Sequence, residues 1–229
     1  MMRITAVCGW AIPPEWFSGL VEQYFPQANV KTLYPALPHS RRQAESLLND
    51  SESELYIGYS LGSLWLLTHQ AYLPRNSILA LIAPVLAFSR ERNLGGKTPE
   101  TKLKYLIRSL KRNPVDRTPL LNFYADSGLS LSESDLRGLP DLRALIQGLE
   151  FLKSAPAPEK ISEKITALVG GQDIFLDGNQ LKHHIPQLEI IPGAGHAPAP
   201  LLAHLAGKFH SPGPGKASAD PDSCPKIIA

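Results

Sequence analysis

The sequence predicts an α/β fold, a mostly parallel sheet flanked by helices, and three observations carry that prediction. Short β-rich apolar runs alternate with stretches of helical periodicity along most of the 229 residues, the pattern of repeated βα units. Runs such as Ile78-Leu79-Ala80-Leu81-Ile82 are apolar without alternation, as strands covered on both faces must be. Between Ser89 and Pro158 the pattern changes: no strong strand appears, and helical periodicity takes over.

In chain order, strands are expected at 3–7, 29–33, 54–58 and 77–82, then at 165–169 and 188–191. Helices are expected at 14–24, 41–48 and 61–72 between the first four strands, and at 198–209 after the last. Within the strand-poor stretch, Leu103, Leu106, Ile107 and Leu110 recur at i, i+3, i+4 and i+7, one apolar stripe of an amphipathic helix. Asn113-Pro114 should end it. Further helical stretches follow at 119–125 and 141–153, and Ala155-Pro156-Ala157-Pro158 leads back to the sheet. The expected organisation is a core of residues 1–87 and 159–210, a helical cap inserted at 88–158, and a disordered, functionally silent tail at 211–229 with four prolines.

Composition narrows the function classes. With 43% hydrophobic and 19% charged residues, collagen-like, fully disordered and disulfide-framework classes are excluded. A net charge of +2 argues against a whole-chain nucleic-acid binder. Cys8 and Cys224 lie near opposite ends without metal-type spacing, which points to a reducing compartment. The apolar run near the start soon meets Pro13, Pro14 and Glu15, too short for a signal-peptide core. No stretch approaches the ~18 apolar residues that span a bilayer. The expectation is a cytoplasmic monomer without metal, cofactor, nucleic-acid or membrane partner.

Gly58-Tyr59-Ser60-Leu61-Gly62 fits G-x-S-x-G between an apolar strand and the helical run Leu64-Trp65-Leu66-Leu67. In that context a sharp strand-to-helix turn exposes the serine oxygen, and glycines flank it because side chains would collide with backbone. The helix N-terminus behind Ser60 adds partial positive charge near a developing oxyanion. A serine nucleophile needs a base held by an acid, in the chain order Ser, Asp or Glu, His. Asp173 lies just past a strand end in Val169-Gly170-Gly171-Gln172-Asp173, and His196 sits in the glycine-rich loop after the last strand. Both loops fall at carboxyl ends of parallel strands, where catalytic groups collect. Asp177 competes with Asp173 for the acid, and Asp126 is a more remote candidate. The other six histidines (His39, His69, His183, His184, His204 and His210) lack that context and read as solvated or half-buried surface residues. The oxyanion should be held by the backbone N–H groups of Leu61, after the nucleophile, and Trp10, in the loop after the first strand.

These residues resemble the α/β-hydrolase superfamily over positions 3–210, and within it the pimeloyl-[acyl-carrier-protein] methyl ester esterases of biotin synthesis (BioH-like). The likeness rests on Gly9-Trp10, the Ser60 motif, Ala87-Phe88-Ser89-Arg90 leading into the cap, Gly148 to Lys153 near its end, and His196-Ala197-Pro198. It implies cleavage of a methyl ester from a pimeloyl chain on acyl carrier protein, with release of methanol and no metal or cofactor. It also implies cap arginines that grip the acidic carrier, and Arg117 and Arg137 match two such positions. Three departures stand out: Cys8-Gly9 replaces the usual His-Gly, the usual leading hairpin is missing, and the elbow aromatic is Tyr59.

Charge distribution points to the same partner. Between Arg90 and Arg117 stand nine basic and three acidic residues, a local +6 that leaves −4 elsewhere. Arg108, Lys111 and Arg112, with Lys102 and Lys104, lie largely off the apolar stripe. Such a face steers an acidic partner with strong salt dependence. The readings carried forward are a carrier-dependent serine carboxylesterase, a general short-chain esterase or thioesterase without a protein partner, and a catalytically silent binding protein of the same fold.

Overall fold

Strands β1 (Arg3–Val7), β2 (Asn29–Leu33), β3 (Leu55–Tyr59), β4 (Ile78–Ile82), β5 (Ile165–Gly170) and β6 (Glu189–Ile191) form one sheet. Their order is β2-β1-β3-β4-β5-β6, and every pairing is parallel. The expected mostly parallel sheet is therefore wholly parallel among the described residues. The computed structural model describes residues 1–155, 161 and 164–210. The expected tail and most of the Ala155–Pro158 return lie outside that range.

Strands that bury both faces need apolar residues at consecutive positions. Leu55 to Tyr59 in β3 are all buried, as are Leu79 to Ile82 in β4. Helices α1 (Pro14–Tyr24), α2 (Arg41–Asn49), α3 (Leu61–Thr68), α7 (Gly178–His184) and α8 (Pro198–His210) connect or follow the strands. Three more, α4 (Glu100–Arg112), α5 (Thr118–Ser127) and α6 (Leu142–Ser154), lie between β4 and β5. On α4 the stripe residues Leu103, Ile107 and Leu110 are buried, and Asn113 closes the helix. Arg92 Nη1 donates to the carbonyls of Ala155 (2.8 Å) and Ser154 (3.4 Å), so the start and end of this helical segment are fastened side by side.

Three expectations need correction. The helix expected at 61–72 stops at Thr68, and residues Gln70–Tyr72 form a separate 3-10 turn. Helix α7 was not expected, because its seven residues bury only Leu181 and carry no apolar stripe. His69 is not a surface histidine. It is 4% exposed, its Nε2–H donates to the Pro38 carbonyl (2.9 Å), and its ring packs against Trp65 and Tyr72.

Burial holds the His69 pKa below its ordinary 6.5, outweighing the Pro38 carbonyl that favours the cation, with Arg41 and His39 adding to the depression. Between the folded value and 6.5 the unfolded chain binds more protons, so stability rises with pH there and is lost as pH falls through the folded value. Urea unfolding at about pH 5 and about pH 7.5 should show wild type losing stability at the lower pH. His69→Gln should narrow that difference.

Candidate active site

The site begins with backbone strain at one residue. Ser60 sits between β3 and α3 at φ 51° and ψ −110°, a left-handed conformation that a non-glycine residue adopts only when its surroundings enforce it. The enforcement is visible on both sides. A Cβ on Gly58 would come within 2.8 Å of Ser63 Cα, and one on Gly62 within 2.2 Å of the Val7 carbonyl oxygen. Only glycines let the first turn of α3 lie this close to the ends of β1 and β3. The Ser60 N–H donates to Ile82 O (3.1 Å), and the Ser63 hydroxyl donates to Ser60 O (2.5 Å) while accepting from the Val85 N–H (2.9 Å).

The structure brings Ser60, Asp173 and His196 together although they lie far apart in sequence. His196 Nε2 is 3.1 Å from Ser60 Oγ, and His196 Nδ1 is 2.8 Å from Asp173 Oδ2. A carboxylate only accepts, so Nδ1 carries the proton and Nε2 is left as the acceptor for the serine hydroxyl. The other Asp173 oxygen accepts from the N–H groups of Phe175 (2.8 Å) and Leu176 (3.1 Å). Its backbone carbonyl accepts from Lys97 Nζ (2.7 Å). All three side chains are buried, at 2–3% residue exposure. An imidazole so held can take the serine proton and later return it to a leaving group.

Two elements aim His196. The β5 end is pressed against its loop, since a Cβ on Gly170 would lie 2.1 Å from Gly195 O. The Tyr59 hydroxyl donates to the His196 carbonyl (3.2 Å), and the Phe175 ring stands edge-on to the imidazole with centroids 5.0 Å apart. Burial, with the Asp173 charge adding to it, pushes the Tyr59 pKa well up, so the hydroxyl stays a donor.

The competing carboxylates have other partners. Asp177 caps α7, accepting from the N–H groups of Asn179 and Gln180 at 3.0 Å each. Asp126 pairs with Lys102 (3.6 Å) on the rim of the cavity. Neither the Trp10 nor the Leu61 amide donates to a protein acceptor among the described residues. A Cβ on Gly148 of α6 would meet the side chains of both, at 2.9 Å and 3.2 Å, so the two residues are neighbours. Cys8, at the position of the expected departure, keeps the loop tied to the sheet through Cys8 N–H to Leu33 O (2.9 Å). Its thiol is fully buried, and burial pushes its pKa up, leaving it protonated and inert.

A cavity of about 240 Å³ opens onto Ser60. Its inner wall is apolar and includes Trp10, Phe88, Leu103, Phe123, Leu149 and Phe175, while Lys102, Ser109, Asp116, Asn122 and Asp126 contribute polar groups. Arg108, Arg112 and Arg117 make no ion pair among the described residues, whereas Lys111 is 3.8 Å from Glu150. Arg137 is set apart from them, on a 3-10 turn (Asp135–Gly138) that packs against α1 while α4 packs against α5 and α6. Among the described residues no group of three or more His, Cys, Asp and Glu could hold a metal ion. No described helix is long and apolar enough to cross a membrane.

Ser63, Tyr124 and Lys97 were not singled out in the sequence. The signal for Ser63 is a polar residue inside an otherwise apolar helix, Leu61-Gly62-Ser63-Leu64-Trp65-Leu66-Leu67. Tyr124 and Lys97 act through backbone carbonyls remote in sequence and leave no local signal.

No protein-family model and no curated protein sequence matches the chain. Solved structures do resemble it. A mutant of the N-acyl homoserine lactonase AidH, complexed with N-hexanoyl homoserine lactone, superposes with a TM-score of 0.66 at 14% identity, over 91% of this chain and 90% of that one. The bottromycin epimerase BotH gives 0.63 at 13% identity, over 91% and 89%. RedJ, a thioesterase from the prodiginine pathway of Streptomyces coelicolor, gives 0.53 at 18% identity, over 90% of each chain. The chain has the α/β-hydrolase fold.

The two carboxylates should separate cleanly by mutation. Asp177→Ala should cost about 1 kcal/mol of stability, as loss of an N-cap does, and leave hydrolysis of a p-nitrophenyl ester unchanged. Asp173→Asn should stay folded in a thermal melt yet lose about 10⁴ in kcat, because the amide stabilises the wrong imidazole tautomer.

Proposed function

We propose that the protein is a serine hydrolase of acyl esters, and more narrowly that it removes the methyl ester from a pimeloyl-type chain held on acyl carrier protein. The observation that carries the reading is the Ser60–His196–Asp173 hydrogen-bond chain on the floor of a largely apolar cavity. The acyl chain lies along Phe88, Leu103, Phe123 and Phe175, with its ester carbonyl over Ser60. Ser60 Oγ attacks the carbonyl carbon as its proton passes to His196 Nε2. Asp173 stabilises the imidazolium, and the Trp10 and Leu61 amides hold the oxyanion. His196 then protonates the departing methoxide, methanol leaves, and water admitted on the same path releases the acid. No step calls for a metal or cofactor.

The carrier half of the proposal draws on charge. Arg108 adjoins Ser109 and Arg117 adjoins Asp116 and Thr118 at the cavity, with Arg112 one turn beyond Arg108 on α4. None of the three has an acidic partner among the described residues, which suits them to an acidic protein. Lys111 shares Glu150 and Arg137 stands apart, so Lys111 contributes less to this face than the charge count suggests, and Arg137 less than the family resemblance implies. The free, buried Cys8 thiol accords with a cytoplasmic location.

A second reading, thioester cleavage without a protein partner, is favoured by the similarity in fold to the thioesterase RedJ. It uses the same residues, and a thiolate leaving group needs less help from His196.

Ser60→Ala should abolish hydrolysis of p-nitrophenyl butyrate; retained activity would sink the assignment. Raising salt from about 50 to about 300 mM should weaken turnover of a carrier-bound methyl ester by tenfold or so, because screening shortens the reach of the basic face. Turnover of a small free ester should barely change. Equal salt response for both substrates would favour the second reading.

A further inference from the structure

The loop that follows β1 is fastened from two directions. On the core side, Cys8 N–H bonds to Leu33 O of β2, while Ile12 N–H to Gly9 O (3.3 Å) closes a turn within the loop itself. The other fastenings come from the cap. The Tyr124 hydroxyl of α5 donates to the Ala11 carbonyl (2.7 Å), and the Trp10 indole Nε1–H donates to the Leu145 carbonyl of α6 (2.8 Å). Both bonds are buried, and they join residues 113 and 135 positions apart in sequence.

Ala11 explains why the loop needs holding. It is fully buried at φ 57°, where an alanine pays about 1–2 kcal/mol for its Cβ. A carbonyl buried there without a donor would add a desolvation penalty of about 1–3 kcal/mol. Without the Tyr124 hydroxyl, the chain beside Trp10 therefore has reason to relax to a different backbone conformation. The Trp10 ring is fixed independently. It fits against Gly148, where a Cβ would approach its Cδ1 to 2.9 Å, and stands edge-on to Phe123 with centroids 4.8 Å apart. Burial pushes the Tyr124 pKa up, against a smaller opposing effect of Arg117, so the hydroxyl remains a donor at neutral pH.

We infer that Tyr124 and the indole of Trp10 are positioning residues through which the cap aims the Trp10 amide at the oxyanion. The cap is then part of the catalytic apparatus and not only the roof of the acyl cavity: helices α5 and α6 must be seated before the oxyanion hole is complete. The inference rests on the serine-hydrolase reading, and its consequence is specific. Loss of either bond should damage stabilisation of the tetrahedral intermediate while leaving ground-state binding of the acyl chain almost untouched.

The test uses the full chain and p-nitrophenyl butyrate. Tyr124→Phe keeps the ring and removes only the hydroxyl, and Trp10→Phe keeps an aromatic and removes the indole donor. Each should lower kcat by about tenfold, less than the 10²–10³ lost with an oxyanion donor itself, with KM changed by less than about twofold. Affinity for an alkyl trifluoromethyl ketone, whose hemiketal oxyanion occupies the hole, should fall by the same factor as kcat. The double variant should lose less than the product of the two single effects, because both act on one amide. A merely structural role would lower the melting temperature and leave kcat and ketone affinity of the folded enzyme at wild-type values. That result in both single variants overturns the inference. If one variant fails to fold, the other still decides. Failure of the underlying reading looks different: wild type would then resist a fluorophosphonate probe, or Ser60→Ala would keep its activity.

Discussion

The first turn of α3 lies hard against the carbonyl end of β1, and the geometry of the site follows from that contact. Gly62 lies where any side chain would strike the Val7 carbonyl, so α3 can start hard against the sheet. The chain has only one residue, Ser60, in which to turn from strand to helix, and it does so at positive φ. That turn lifts the hydroxyl off the sheet while the amide of Leu61 stays at the free N-terminus of the helix. Because all six strands run parallel, the loops carrying Trp10, Asp173 and His196 emerge on the same edge. One close contact and one topological rule thus bring four loops to one point.

The parts of this arrangement that were legible in the sequence are those enforced locally. Gly58 meets Ser63 only five residues on, Gly62 stands in the same short motif although its steric neighbour is Val7 of β1, and uninterrupted apolar runs such as that at 79–82 announce burial on both faces. Asp173 and Asp177 were harder to separate, since both sit in one loop after one strand. What distinguishes them is a hydrogen-bond inventory: Asp177 spends its carboxylate on α7, a helix too short and polar to declare itself by periodicity. His69 misled for a related reason. Its partner is a backbone carbonyl 31 residues away, and carbonyls have no sequence signature. The same blindness covers Tyr124 and the Trp10 indole, whose acceptors depend on how the cap helices settle on the core.

Fold and chemistry separate clearly among the proteins it resembles. A lactonase, an epimerase and a thioesterase share this architecture at 13–18% identity, so the sheet supplies positions and the residues at those positions supply the reaction. Here the positions hold a serine, an imidazole with a defined tautomer and a carboxylate whose three hydrogen bonds leave it little freedom. The cap adds the apolar wall and a basic exterior. The near-neutral total charge of the chain conceals that exterior, because the surplus of cations between Arg90 and Arg117 is offset by acids elsewhere.

The Arg92 clasp has an evolutionary meaning. Because its guanidinium holds the carbonyls of Ser154 and Ala155, the two ends of the helical segment, at Arg92 and Ala155, lie at nearly one spot, like a purse closed by a drawstring. Closing a loop at its neck makes added length inexpensive, since closure entropy grows only logarithmically with the residues enclosed. The segment between β4 and β5 can therefore be lengthened, shortened or exchanged while the strands beneath keep their register. A lineage built on this scaffold could change its substrates by rewriting about sixty residues and leave the serine, the histidine and the aspartate where they stand.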